Sequence, residues 1–116
     1  MDGRTQECVK NYMQKKYGVD FVDAVTEPGP IKILAENSNA PIIENIKKRV
    51  AISVEKHGSK VIAIVGHHDC AGNPVVKEEQ IKQLAEAKKT VESFGFGAEV
   101  ILLYVEGDWC SIDVIE

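Results

Sequence analysis

The segment Val61-Ile62-Ala63-Ile64-Val65-Gly66-His67-His68-Asp69-Cys70-Ala71-Gly72 decides how this chain is read. Its first five residues are apolar and mostly β-branched, with no polar alternation. Such a run suits a strand covered on both faces, so 61–65 is expected to be a central strand of a parallel sheet. Ligands of open α/β sheets bind beyond the carboxyl ends of the strands, which is where Gly66 to Gly72 lies. His67 and Cys70 stand three apart in this glycine-flanked turn, so an imidazole nitrogen and a thiolate can converge on one ion. Zinc accepts both ligand types. On the residues alone, a polar loop with backbone-bonded histidines and an inward-packed cysteine is the competing reading.

Outward from this segment, helical and strand patterns alternate. Ile43, Ile46, Val50 and Val54 fall on one face of a helix expected over 41–57, with Pro41 at a tolerated early position and Gly58 as terminator. A further helix is expected from Lys77 to Phe94, with Ile81, Leu84, Val91 and Phe94 along one stripe. The Gly95-Phe96-Gly97 turn then leads to an apolar strand over 100–105. Before the segment, Val9, Tyr12, Met13 and Tyr17 predict a helix from about Thr5 to Tyr17, stopped by Gly18. Phe21 to Val25 is expected to be a short strand, and Glu27-Pro28-Gly29-Pro30 a loop. Buried strands separated by helices predict an α/β fold with a mostly parallel central sheet.

The totals agree with one soluble domain. A chain of 116 residues can bury one core, and 44% hydrophobic with 28% charged residues is an ordinary globular balance. The net charge of -4, without a basic stripe, argues against nucleic acid as the main ligand. No Gly-x-Gly-x-x-Gly follows a predicted strand, which disfavours nucleotide binding. No apolar run of membrane-spanning length and no secretory leader are apparent, so no membrane association and a cytoplasmic location are the expectations. Three cysteines at wide spacing (Cys8, Cys70 and Cys110) suit reduced thiols better than a disulfide framework.

Val-Ile-Ala-Ile-Val-Gly-His-His-Asp-Cys-Ala-Gly resembles the second zinc motif of the β-class carbonic anhydrases, a strand followed by Gly-His-x-x-Cys-Gly, with Ala71 at the place of the usual glycine. The opening Met1-Asp2-Gly3-Arg4 resembles the end of that family's first motif, Cys-x-Asp-x-Arg, and Asp2 and Arg4 match its Asp/Arg pair in spacing and order. The order of elements also follows the family over nearly the whole chain. The resemblance implies a three-layer domain over 1–116 with helices flanking the sheet, and one Zn2+ per chain held by His67 and Cys70. It also implies reversible hydration of carbon dioxide to bicarbonate, in which zinc lowers the pKa of water to about 7 and the resulting hydroxide attacks carbon. Arg4 would hold Asp2 ionised and oriented through its two-pronged guanidinium. A homodimer or higher homo-oligomer is implied as well.

The family's first cysteine ligand would fall one position before Met1. Three explanations stand open: a native start upstream of the sequence given, direct ligation by Asp2 in an Asp2, His67, Cys70 site with one open position, or a degenerate site. Cys8 and Cys110 are poorly placed to substitute. His68 and Asp69 are expected to be solvated loop residues and His57 a helix-end cation. Two alternatives to carbon dioxide hydration follow: hydrolysis of carbonyl sulfide or carbon disulfide by the same centre, and a non-catalytic relative that keeps only the fold.

Overall fold

The computed structural model describes residues 1–116. Seven elements follow one another: α1 (Gly3–Tyr17), α2 (Pro30–Glu36), α3 (Ala40–Lys56), β1 (Val61–His67), α4 (Lys77–Glu92), β2 (Glu99–Val105) and β3 (Ile112–Ile115). No helix is long and apolar enough to cross a membrane.

The helices expected from periodicity form, but α4 ends at Glu92, short of Phe94, and Ile81 of its expected stripe is not among its buried residues. Asp2 caps α1 by accepting the Arg4 N–H, and Gly18 ends it in the left-handed region at φ 63°. Asn39 caps α3, whose Ile43, Ile46 and Val50 are buried. On α4 the buried stripe is Gln80, Leu84, Ala87 and Val91, at spacings of four, three and four. Leu84, Ala87 and Val91 join the three buried α3 residues, Ile31 and Leu34 of α2, and Ile64, Val100 and Leu102 of the sheet in one core cluster. Leu84 and Ala87 are fully buried, and a buried leucine stabilises the fold by about 1.5–3 kcal/mol.

The sheet is small and mixed. β1 pairs with β2 in parallel, from Val61 opposite Glu99 to His67 opposite Val105. β2 pairs with β3 antiparallel, from Leu102 opposite Ile115 to Val105 opposite Ile112. The fold is therefore α/β with one parallel and one antiparallel pairing: β3 follows β2 through a short connection, and such a connection can only return the chain antiparallel. β3 was not foreseen. Nor is β1 central, because the strand order is β1-β2-β3 and β1 lies at the edge.

The segment expected to be a strand at Phe21 to Val25 joins no sheet. Phe21 is 90% exposed, and side chains, not a neighbouring strand, take nearby carbonyls: Gln14 Nε2 donates to Asp20 O at 2.7 Å and Arg49 to Thr26 O at 3.4 Å. The Pro28-Gly29-Pro30 stretch breaks the chain as expected, then starts α2, which was not foreseen. Pro30 occupies the first helical turn, where its missing N–H costs nothing.

Candidate metal centre

β1 extends two residues beyond its apolar run, so His67 is a strand residue and not part of the turn. Its backbone is clamped by Gln80 of α4: the His67 N–H donates to Gln80 Oε1 at 3.1 Å, and Gln80 Nε2 donates to His67 O at 2.8 Å. Gly66 leaves room for this clamp: a Cβ there would stand 2.7 Å from Gln80 Oε1, so a larger residue would displace the Gln80 side chain. The His67 ring is nearly buried, and its Nδ1 lies 2.7 Å from His68 O. A carbonyl only accepts, so Nδ1 carries the proton, and Nε2 is the nitrogen left for a metal when the ring is neutral.

Cys70, buried and free, follows where Asp69 turns the chain at φ 55°. Its carbonyl accepts the Asn73 N–H at 3.3 Å, and buried Asn73 in turn donates to Gln83 of α4 at 2.5 Å. Gly72 lies backbone to backbone on Gly29: a Cβ on either would come within 2.7 Å of the other's main chain. The turn is thus seated between the start of α2 and the face of α4.

Asp2 and Arg4, 65 positions away from the turn, come to its side. Arg4 Nε and Nη2 grip the Asp2 carboxylate, with the shortest contact 2.7 Å from Nη2 to Oδ2. The same guanidinium reaches Asp69 Oδ2 at 3.4 Å and Asp69 O at 3.3 Å. Asp69, expected to be merely solvated, therefore ties the pair to the turn. The Arg4 side chain, followed by the Arg4 backbone N–H, holds the Asp2 carboxyl well below the usual carboxylate range. Asp2 Oδ2 lies 3.9 Å from His67 Nδ1, too far for a hydrogen bond.

The other candidates lie elsewhere. Cys8 donates its thiol to Cys110 O at 3.1 Å, and burial, followed by Cys110 and Asp108, raises its pKa. His57 bonds Asp23 Oδ2 at 2.6 Å, so a carboxylate and not only a helix end explains it. No group of three or more His, Cys, Asp or Glu side chains is close enough to hold an ion, so Asp2, His67 and Cys70 do not form a closed cluster. Two surface hollows, of about 200 and 240 Å³, lie against Val91 and Phe96 and against Asp23 and Arg49, away from the turn.

Two residues of the site were missed by sequence reasoning. Gln80 had a signal, as a polar residue in register with the apolar stripe of α4. Trp109 had none: its indole lies 3.9 Å from Arg4 Cζ, with the His67 and His68 rings 6.1 and 6.2 Å away.

One family model, described as "Putative carbonic anhydrase", matches residues 1–115. No curated protein and no solved structure matches the chain. The match takes in all but the last residue, the motifs at Asp2 and His67 included; the chain belongs to this carbonic-anhydrase-like family.

Proposed function

We propose that the chain is a β-class carbonic anhydrase, hydrating carbon dioxide reversibly to bicarbonate in the cytoplasm with one zinc ion per chain. The observation that carries this reading is the meeting of Asp2 and Arg4 with the His67–Cys70 turn across 65 positions of sequence. The donor types fit zinc: an imidazole with a free Nε2, a buried thiol three residues on, and an ionised carboxylate. His67 and Cys70 would hold the ion, with the Asp2 carboxylate standing beside them without closing a three-residue cluster. Bound there, zinc would supply a Lewis acid that makes water nucleophilic near neutral pH.

The chain's own residues do the rest. His68 O fixes the His67 tautomer and ring orientation. Gln80 fixes the backbone that bears the ring. Arg4 keeps Asp2 ionised, so that the carboxylate can accept a hydrogen bond from a protic group beside it but not donate one. Self-association into a homodimer or higher oligomer belongs to the same reading, supported by the unpaired edge of β1 and the exposed Phe21.

A second reading has its own observation. Both Asp2 oxygens are engaged by Arg4, and Oδ2 stands nearest the His67 nitrogen that already donates to His68 O. A non-catalytic relative with a degenerate metal site would look the same.

Metal content and carbon dioxide hydration, measured on the chain and on a version with Cys immediately before Met1, separate the two. The enzyme reading expects zinc in at least one form, lost in His67→Ala and in Cys70→Ser, with hydration following the zinc. Zinc held by the short form and lost in Asp2→Asn would assign Asp2 as a ligand. Neither zinc nor hydration in either form would sink the enzyme reading.

A further inference from the structure

The β2–β3 connection does more than reverse the chain. Asp108 accepts from Cys110 N at 3.0 Å, Ser111 N at 2.8 Å and Ser111 Oγ at 2.5 Å. Glu106 O takes the Trp109 N–H at 3.0 Å, and the Cys8 thiol of α1 donates to Cys110 O. These bonds hold Trp109 at φ 58°, a left-handed conformation that bulky side chains rarely adopt. Strained residues persist where surrounding structure over-determines them, and they gather at functional sites. Gly107 permits the close approach, since a Cβ there would meet His68 Cδ2 at 2.9 Å.

What the conformation achieves is the placing of the indole against Arg4. The Arg4 side chain is 46% exposed, and exposed ion pairs ordinarily hold two long side chains loosely. Here the guanidinium's N–H groups point to Asp2 and Asp69, while the indole lies 3.9 Å from its carbon. An aromatic face against a guanidinium attracts it and limits its rotation.

We propose that Trp109 is a positioning residue of the Asp2–Arg4 pair: packed against the guanidinium, it keeps Arg4 in the orientation that grips Asp2 and Asp69 beside His67. The role rests on the reading of Asp2 and Arg4 as working groups of a metal centre. Trp109 acts through Arg4 and needs no contact with substrate. It is also the chain's only tryptophan, so the chain's indole fluorescence reports on the surroundings of this one side chain.

The test follows the Arg4 Nε–H proton by NMR in the full chain, as parent, Trp109→Phe and Trp109→Ala. Release of Arg4 in Trp109→Ala is expected to speed solvent exchange of that proton about threefold to tenfold, with Trp109→Phe close to the parent. An unchanged rate in a folded Trp109→Ala would overturn the proposal. Should that variant not fold, Arg4→Gln decides: the Trp109 emission maximum and intensity are expected to change, and an unaltered spectrum overturns the proposal equally. With zinc and hydration present, Trp109→Ala is expected to lower kcat about tenfold at unchanged zinc content, with Trp109→Phe restoring most of it. If the parent neither binds zinc nor hydrates carbon dioxide, the functional reading fails on that result, and the exchange rate still decides the role of Trp109.

Discussion

The two halves of the candidate site are held by different physics. His67 and Cys70 sit on a buried backbone, gripped by Gln80 and Asn73 and seated on Gly29 without an intervening side chain. Asp2 and Arg4 sit at the exposed start of α1 and are held by side chains: an ion pair, Asp69 and the indole of Trp109. The first half is fixed by the cost of leaving buried polar groups unpaired. The second is fixed by several weak contacts that share one guanidinium. A metal ligand gains from rigidity, whereas a carboxylate that must accept a hydrogen bond gains from being close to water, so the difference suits the division of labour proposed for them.

Gln80→Leu should expose that difference most sharply. It leaves the His67 N–H and C=O buried without partners, and a loss of about 3 kcal/mol is expected in urea unfolding. Asp2→Ala removes the cap of α1 and the partner of Arg4, yet takes no hydrogen bond from a buried group, so about 1 kcal/mol is expected by the same measurement. Equal losses would break the comparison, since the surface half would then be as deeply built as the buried one.

A smaller effect should appear on acidification. Asp108 is lowered to about 2 by Ser111, through its hydroxyl and then its backbone N–H, and by Cys110 N–H. A depressed carboxyl contributes stability that is complete above its unfolded pKa, near 3.8, and is lost as pH falls through the folded value. Trp109 emission should therefore change between about pH 4 and pH 2. In Asp108→Asn that change should vanish. An equal change in the variant would mean that another carboxylate governs the loop.

Residues whose partners are near in sequence were legible, and residues that depend on sheet order were not. The helices α1, α3 and α4 follow from apolar spacing, the last with a partly different buried face, and β1 and β2 from their apolar runs. The position of β1 at the edge could not be read from its composition, because an unbroken apolar run reports burial and not the number of neighbouring strands. Phe21 to Val25 has strand-forming residues but no partner, and pairing is what makes a strand. In the site, the spacing of His67 and Cys70 is local and was read directly, and Asp2 and Arg4 were found through resemblance. Trp109 meets Arg4 only because α1 packs on β2 and β3, a fact of tertiary arrangement that no local pattern encodes.

The contact between Gly29 and Gly72 joins two backbones with no side chain between them to yield. Packed side chains can absorb a small displacement by changing rotamer, but abutting main chains can only move together or separate. The turn bearing Cys70 and the first residues of α2 thus form one mechanical unit. Their amides should open to solvent in the same local unfolding event, and a sequence change in α2 would be felt as looseness at a thiol some forty residues away.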